Sequence, residues 1–117
     1  MGNAVNISGM PVRGTQLLGA VIATGAGDAV DGVNVTKTYF ASGFTTAGSG
    51  AAVVVVEGSM DGVSWDTIGT ITLTLSATPS AGANSDSFTS HDRYRLVRGN
   101  VSSISGTNAQ VSLAMGS

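Results

Sequence analysis

The residues of this chain best suited to chemistry stand close together near its end: Ser87, Ser90, His91 and Asp92. His91 is the only histidine, and Asp92 beside it could orient the imidazole as a general base for a serine nucleophile. A hydrolytic triad needs three side chains converging in space, whereas neighbours along a strand point to opposite faces. No nucleophile elbow of the G-x-S-x-G type accompanies them. They read as a turn histidine with polar neighbours, and the expectation is a protein that is not an enzyme.

Metal and cofactor chemistry find no better footing. The seven carboxylates are scattered, with Asp28 and Asp31 flanking one turn and Asp61 and Asp66 flanking a hairpin. Acidic residues are common in turns because their side chains accept hydrogen bonds from local backbone amides. No calcium-loop spacing, G-x-G-x-x-G run or phosphate-loop lysine is present. The expectation is therefore no metal and no cofactor.

Arg93, Arg95 and Arg98 surround Tyr94 and could touch phosphate. A formal charge of −2 and a pI near 4.9 argue against a nucleic-acid partner, which normally meets a basic stripe. These arginines are expected to pair with acids on a neighbouring strand or across an interface. Trp65, the only tryptophan, reads as a core plug near a hairpin, with a sugar-stacking platform as the sharper alternative.

The elements that must position these residues are strands. The chain has 117 residues, 42% of them apolar and only 10% charged, which suits one domain with one modest core. Gly, Ser, Thr, Ala and Asn replace the missing charge, so much of the surface must be neutral or covered by a partner. Residues 1–13 read as an extended arm, in which Val5, Ile7, Met10 and Val12 are candidate partner-binding residues. Residues 14–117 then form the β domain. The start has no basic region or long apolar run, so no signal peptide is expected, and no segment approaches the ~20 apolar residues of a membrane helix.

Within the domain, strands are expected over 15–24, 33–40, 51–59, 64–75, 93–103 and 109–115. Lys37 interrupts the apolar face of the second, its amine expected to reach water. The four valines from Val53 to Val56 should be buried on both faces or lie at a sandwich centre. Asp61-Gly62 favours a tight hairpin turn. Thr70, Thr72 and Thr74 alternate with Ile71, Leu73 and Leu75, the pattern of one wet and one buried face, and Gly69 suggests a bulge. Residues 43–50 and 76–86 read as connections. Short strands throughout, without a helix, predict an all-β, single-domain β-sandwich, jelly-roll or immunoglobulin-like.

The segment from Val53 to Thr70, with Glu57-Gly58-Ser59-Met60-Asp61-Gly62 followed by Trp65 and Ile68-Gly69, resembles a hairpin of tailed-bacteriophage virion proteins. Residues 93–101 with Ser105-Gly106-Thr107 look like the closing strands of the same family, and residues 23–30 are similar to its opening turn. The resemblance implies a virion structural protein, most naturally a head decoration (cement) protein that binds and stabilises the capsid shell. Its partners would be the major capsid protein and further copies of itself, as a trimer or dimer. It would be made in the host cytoplasm and reside on the capsid surface. The competing reading is a tail or fibre module that binds host-surface glycans.

Overall fold

In the computed structural model, which describes residues 14–32, 36–78 and 84–116, every regular element is a strand. These are β1 (Gly14–Val21), β2 (Gly25–Ala26), β3 (Val30–Asp31), β4 (Lys37–Phe44), β5 (Ala47–Ser59), β6 (Asp66–Ser76), β7 (Ser85–Ser90), β8 (Leu96–Thr107) and β9 (Gln110–Gly116). One sheet has the order β1-β9-β4-β7 and the other β2-β8-β5-β6, with β3 also on β8. All pairings are antiparallel. The arm candidates Val5, Ile7, Met10 and Val12 lie outside the described residues. Among the described residues no helix is long and apolar enough to cross a membrane.

Alternation along the strands builds the core between the two sheets. One sheet supplies Leu17, Leu18, Tyr39, Ala41, Val111, Leu113 and Met115; the other supplies Ala52, Val54, Val56, Ile71, Leu73, Leu75, Val97 and Val101. The threonine alternation in β6 behaves as expected, with Thr70, Thr72 and Thr74 exposed. The register passes from Val56↔Gly69 to Glu57↔Thr67, so Ile68 is the extra residue of a bulge beside Gly69.

β5 does lie inside its sheet, between β8 and β6, but only one of its faces is fully buried. Val54 and Val56 are in the core, whereas Val53 and Val55 are half-exposed on the outer face, since none of the described residues forms a third layer over it. Residues 43–50 are another correction. They are mostly strand, interrupted only at Thr45-Thr46, where β4 crosses to β5. Gly43 and Gly50 are there for close packing: a Cβ on Gly43 would run into the Gln110 carbonyl, and one on Gly50 into the Ser105 carbonyl.

Lys37 is also not at the surface. It is buried, with Nζ 3.2 Å from Asp92 Oδ1. The Asp61-Gly62 turn has the expected positive angle, φ 78° at Gly62, but it belongs to a longer loop that spans Met60 to Trp65. Arg93, Tyr94 and Arg95 precede β8 instead of forming its start.

Candidate functional site

The register gathers nearly all charge at one end of the sandwich. Lys37 opens β4 opposite Ser90, the last residue of β7, and Asp31 and Ser59 both pair with Leu96 at the start of β8. Glu57, Asp61, Asp66, Asp92, Arg93, Arg95 and Arg98 belong to the same end. Of the charged side chains described, only Asp28 and Asp86 lie elsewhere.

The His91–Asp92 pair does not form a catalytic group. His91 is exposed, while the Asp92 carboxylate turns inward. Asp92 Oδ2 accepts a 2.9 Å hydrogen bond from the Tyr39 hydroxyl, and Lys37 Nζ donates to the Asp92 carbonyl at 3.2 Å. Burial, and then the Asp92 carboxylate beside it, push the Tyr39 phenol well above its ordinary pKa, so it remains a proton donor. Ser87 is exposed on β7, and Ser90 pairs with Lys37 in the β4–β7 ladder. These groups tie the β7–β8 connection down across the end of the sandwich.

The loop after β5 is held by its own side chains. Ser59 Oγ accepts the amides of Asp61 (3.2 Å) and Gly62 (2.8 Å) and donates to Asp61 Oδ1. Asp61 Oδ1 in turn accepts the amides of Val63 and Ser64 at 2.8 and 2.9 Å. Those backbone bonds, Ser64 first, hold the Asp61 pKa below the usual carboxylate range. Trp65 follows, and it is not a core plug. It is half-buried outside the core, with the Arg98 guanidinium 4.0 Å from its ring centroid. Arg98 Nε donates to Glu57 Oε1 at 2.8 Å, so this arginine pairs with an acid on the neighbouring strand as expected. Stacked against Arg98, that ring face is not free for a sugar. Tyr94 completes the end, its hydroxyl donating to Asp66 Oδ2 at 3.3 Å.

A different surface exposes large apolar side chains. On the outer face of the β1-β9-β4-β7 sheet, β4 presents Thr38, Phe40, Ser42 and Phe44. β9 places Ala114, Ser112 and Gln110 opposite the last three of these, and β7 places Thr89, Ser87 and Ser85 opposite the first three. Not one of these side chains is charged. Phe40 is 46% exposed and Phe44 40%.

Gln110, the cross-strand neighbour of Phe44, also lines an open cleft of about 570 Å³ at the uncharged end, with Ile22, Thr46, Ile104 and Asn108. The corner there is fixed by Asn108 Nδ2 donating to Thr46 Oγ1 at 3.0 Å and by buried Asn84 donating to the Gly43 carbonyl at 3.1 Å. Ile22 is 70% exposed on the cleft wall. The face and the cleft meet at Gln110 and together offer aromatic and aliphatic contact with amide and hydroxyl hydrogen bonding.

Sequence reasoning missed Phe40, Phe44 and Ile22. Their signal was the outward parity of bulky apolar residues in otherwise polar strand faces, which can be read only once the core face is known. No His, Asp or Glu cluster among the described residues could hold a metal ion. No family model, curated protein or solved structure matches the chain.

Proposed function

We propose that this chain is a non-enzymatic structural protein of a phage virion, a head decoration protein that binds and stabilises the outer capsid shell. The observation that carries the reading is the uncharged surface through Phe40, Phe44, Gln110 and Ile22, with every described charged side chain except Asp28 and Asp86 at the opposite end. A surface of this kind suits burial against a protein wall more than contact with a charged ligand.

The strand order supports the same reading. With β2 and β3 taken as one position, the chain changes sheet at every connection except β5–β6. That alternation fits the double Greek key of a jelly roll, an architecture used in capsid and lectin domains. An immunoglobulin-like sandwich keeps several hairpin-linked pairs within one sheet. The likeness of residues 53–70 to virion hairpins adds to the case. In this reading the arm residues Val5, Ile7, Met10 and Val12 provide a second attachment, continuing from Gly14, which pairs with Gly116 at the charged end.

The test is binding of the purified chain to phage heads stripped of their decoration. The wild type should bind in many copies per head, with weak salt dependence. The pair of changes Phe40→Ser and Phe44→Ser should reduce binding at least tenfold without lowering stability, and deletion of residues 2–12 should weaken it further. Binding that ignores the phenylalanines and vanishes in moderate salt would assign the contact to the charged end and refute this account.

A further inference from the structure

Four strand positions border the two sheets: β1 and β7 in one, β6 and the β2/β3 pair in the other. A free border presents unpaired N–H and C=O groups to any passing chain, and folds blunt it with charges, bulges, interruptions or short strands. Three of these borders are blunted. β1 shifts register twice against β9 and holds Ala20 at φ 46°. β2 and β3 are two residues each, separated by Gly27-Asp28-Ala29. β7 has six residues and carries Asp86.

β6 carries no such device along most of its length. It is 11 residues long, pairs with β5 without a shift from Gly69 to Ser76, and has no charged side chain between Thr67 and Ser76. Among the described residues its only ladder partner is β5.

We propose that β6 is a self-association edge, through which two copies of this chain pair antiparallel about a two-fold axis at Thr72. The sequence is close to palindromic about that residue. Thr70 then faces Thr74 of the second copy, Ile71 faces Leu73, and Thr72 faces itself. Exposed hydroxyls meet hydroxyls on the outer side, and core residues meet core residues on the inner side. The single charge of β6, Asp66, falls at opposite ends of the pair, so no like charges meet.

The contact is isologous, and the remaining borders are blunted, so assembly closes at two copies and does not grow into a filament. The product is one continuous sheet with the order β2-β8-β5-β6 followed by its mirror sequence. This dimer does not depend on the virion reading.

The experiment is light scattering and sedimentation of the full chain across a wide concentration series. The wild type should run at twice the 11.6 kDa chain mass. Thr72→Lys and Thr72→Glu, each placing like charges across the axis, should each be monomeric with unchanged far-UV circular dichroism. Mixing these two variants should restore the dimer, because lysine then meets glutamate, and added salt should weaken only this mixed pair. Thr70→Lys/Thr74→Lys, which sets lysine opposite lysine at two places in the pair, gives a second route to the same loss should Thr72→Lys fold poorly. Phe40→Ser with Phe44→Ser should leave the dimer intact. A wild type that stays monomeric, a dimer that survives Thr72→Lys, a mixture that fails to associate, or a dimer lost on changing the phenylalanines would each overturn the proposal.

Discussion

Replacing Lys37 with methionine removes the cation of the buried pair that closes one end of the sandwich. Lys37 is 1% exposed and Asp92 7%, and Nζ stands 3.2 Å from Oδ1. Methionine keeps a flexible unbranched stem of similar length, so packing changes little and the loss is mainly one of charge. Asp92 then retains the 2.9 Å bond from Tyr39, which satisfies one oxygen without neutralising the carboxylate. Removing one partner of a buried ion pair costs about 3–5 kcal/mol, and a site at the end of the fold can relax toward water, so about 3 kcal/mol is expected. For a domain of this size that corresponds to a fall in Tm of roughly 10–15 °C.

Urea denaturation of wild type, Lys37→Met and Lys37→Met/Asp92→Asn at neutral pH measures this. The double variant should recover part of the loss, because the uncompensated carboxylate is then gone. A deficit below about 1 kcal/mol, or a double variant no more stable than Lys37→Met, would refute the buried-charge reasoning.

Two further outcomes test other parts of the fold. Val54→Asp puts a carboxylate into the core and should leave no cooperative thermal transition, whereas Val55→Asp, on the outer face, should cost only about 1 kcal/mol; equal losses would mean that the outer face is covered. The raised Tyr39 pKa makes stability fall as pH climbs above the ordinary phenol range, because the unfolded chain releases a proton that the folded chain keeps. Tyr39→Phe should flatten that alkaline decline in a series of urea midpoints, and an unchanged slope would detach Tyr39 from it.

The parts of the fold that were legible in the sequence were those set by local rules. Period-two alternation gave the buried and wet faces of β6, the bulge fell beside Gly69, and Asp61-Gly62 turned with the positive angle that glycine permits. What was not legible depended on partners distant in sequence. Lys37 is buried because Asp92, 55 residues later, meets it. Nothing near Lys37 announces that partner, so surface exposure was the natural expectation. Residues 43–50 resemble a loop because glycine marks turns and close backbone approach alike, and only the carbonyls of Gln110 and Ser105 reveal which applies at Gly43 and Gly50. Trp65 looked like core by size, yet its loop ends on the outer face, where Arg98 provides a cationic stacking partner.

The proposed contact surfaces were the least legible part, and the reason lies in what conspicuous residues do here. The Glu57–Trp65 run, the most distinctive in the sequence, is occupied with its own geometry. Ser59 and Asp61 satisfy the loop amides, and Glu57 orients Arg98 over Trp65. A run of this kind therefore accounts for a hairpin, and a role has to be sought in residues that no motif marks. Those residues are Phe40, Phe44, Ile22 and the threonines of β6, each unremarkable alone and each meaningful only through its parity on a strand. A chain with so few charges cannot select partners by long-range electrostatics, so its selectivity must come from the shape of neutral surface and from which sheet borders are left open. On that logic, substitutions that introduce charge on the β4 outer face or the β6 edge should alter assembly, while charge removal at Arg93 or Arg95, which are exposed and form no ion pair among the described residues, should leave it unchanged.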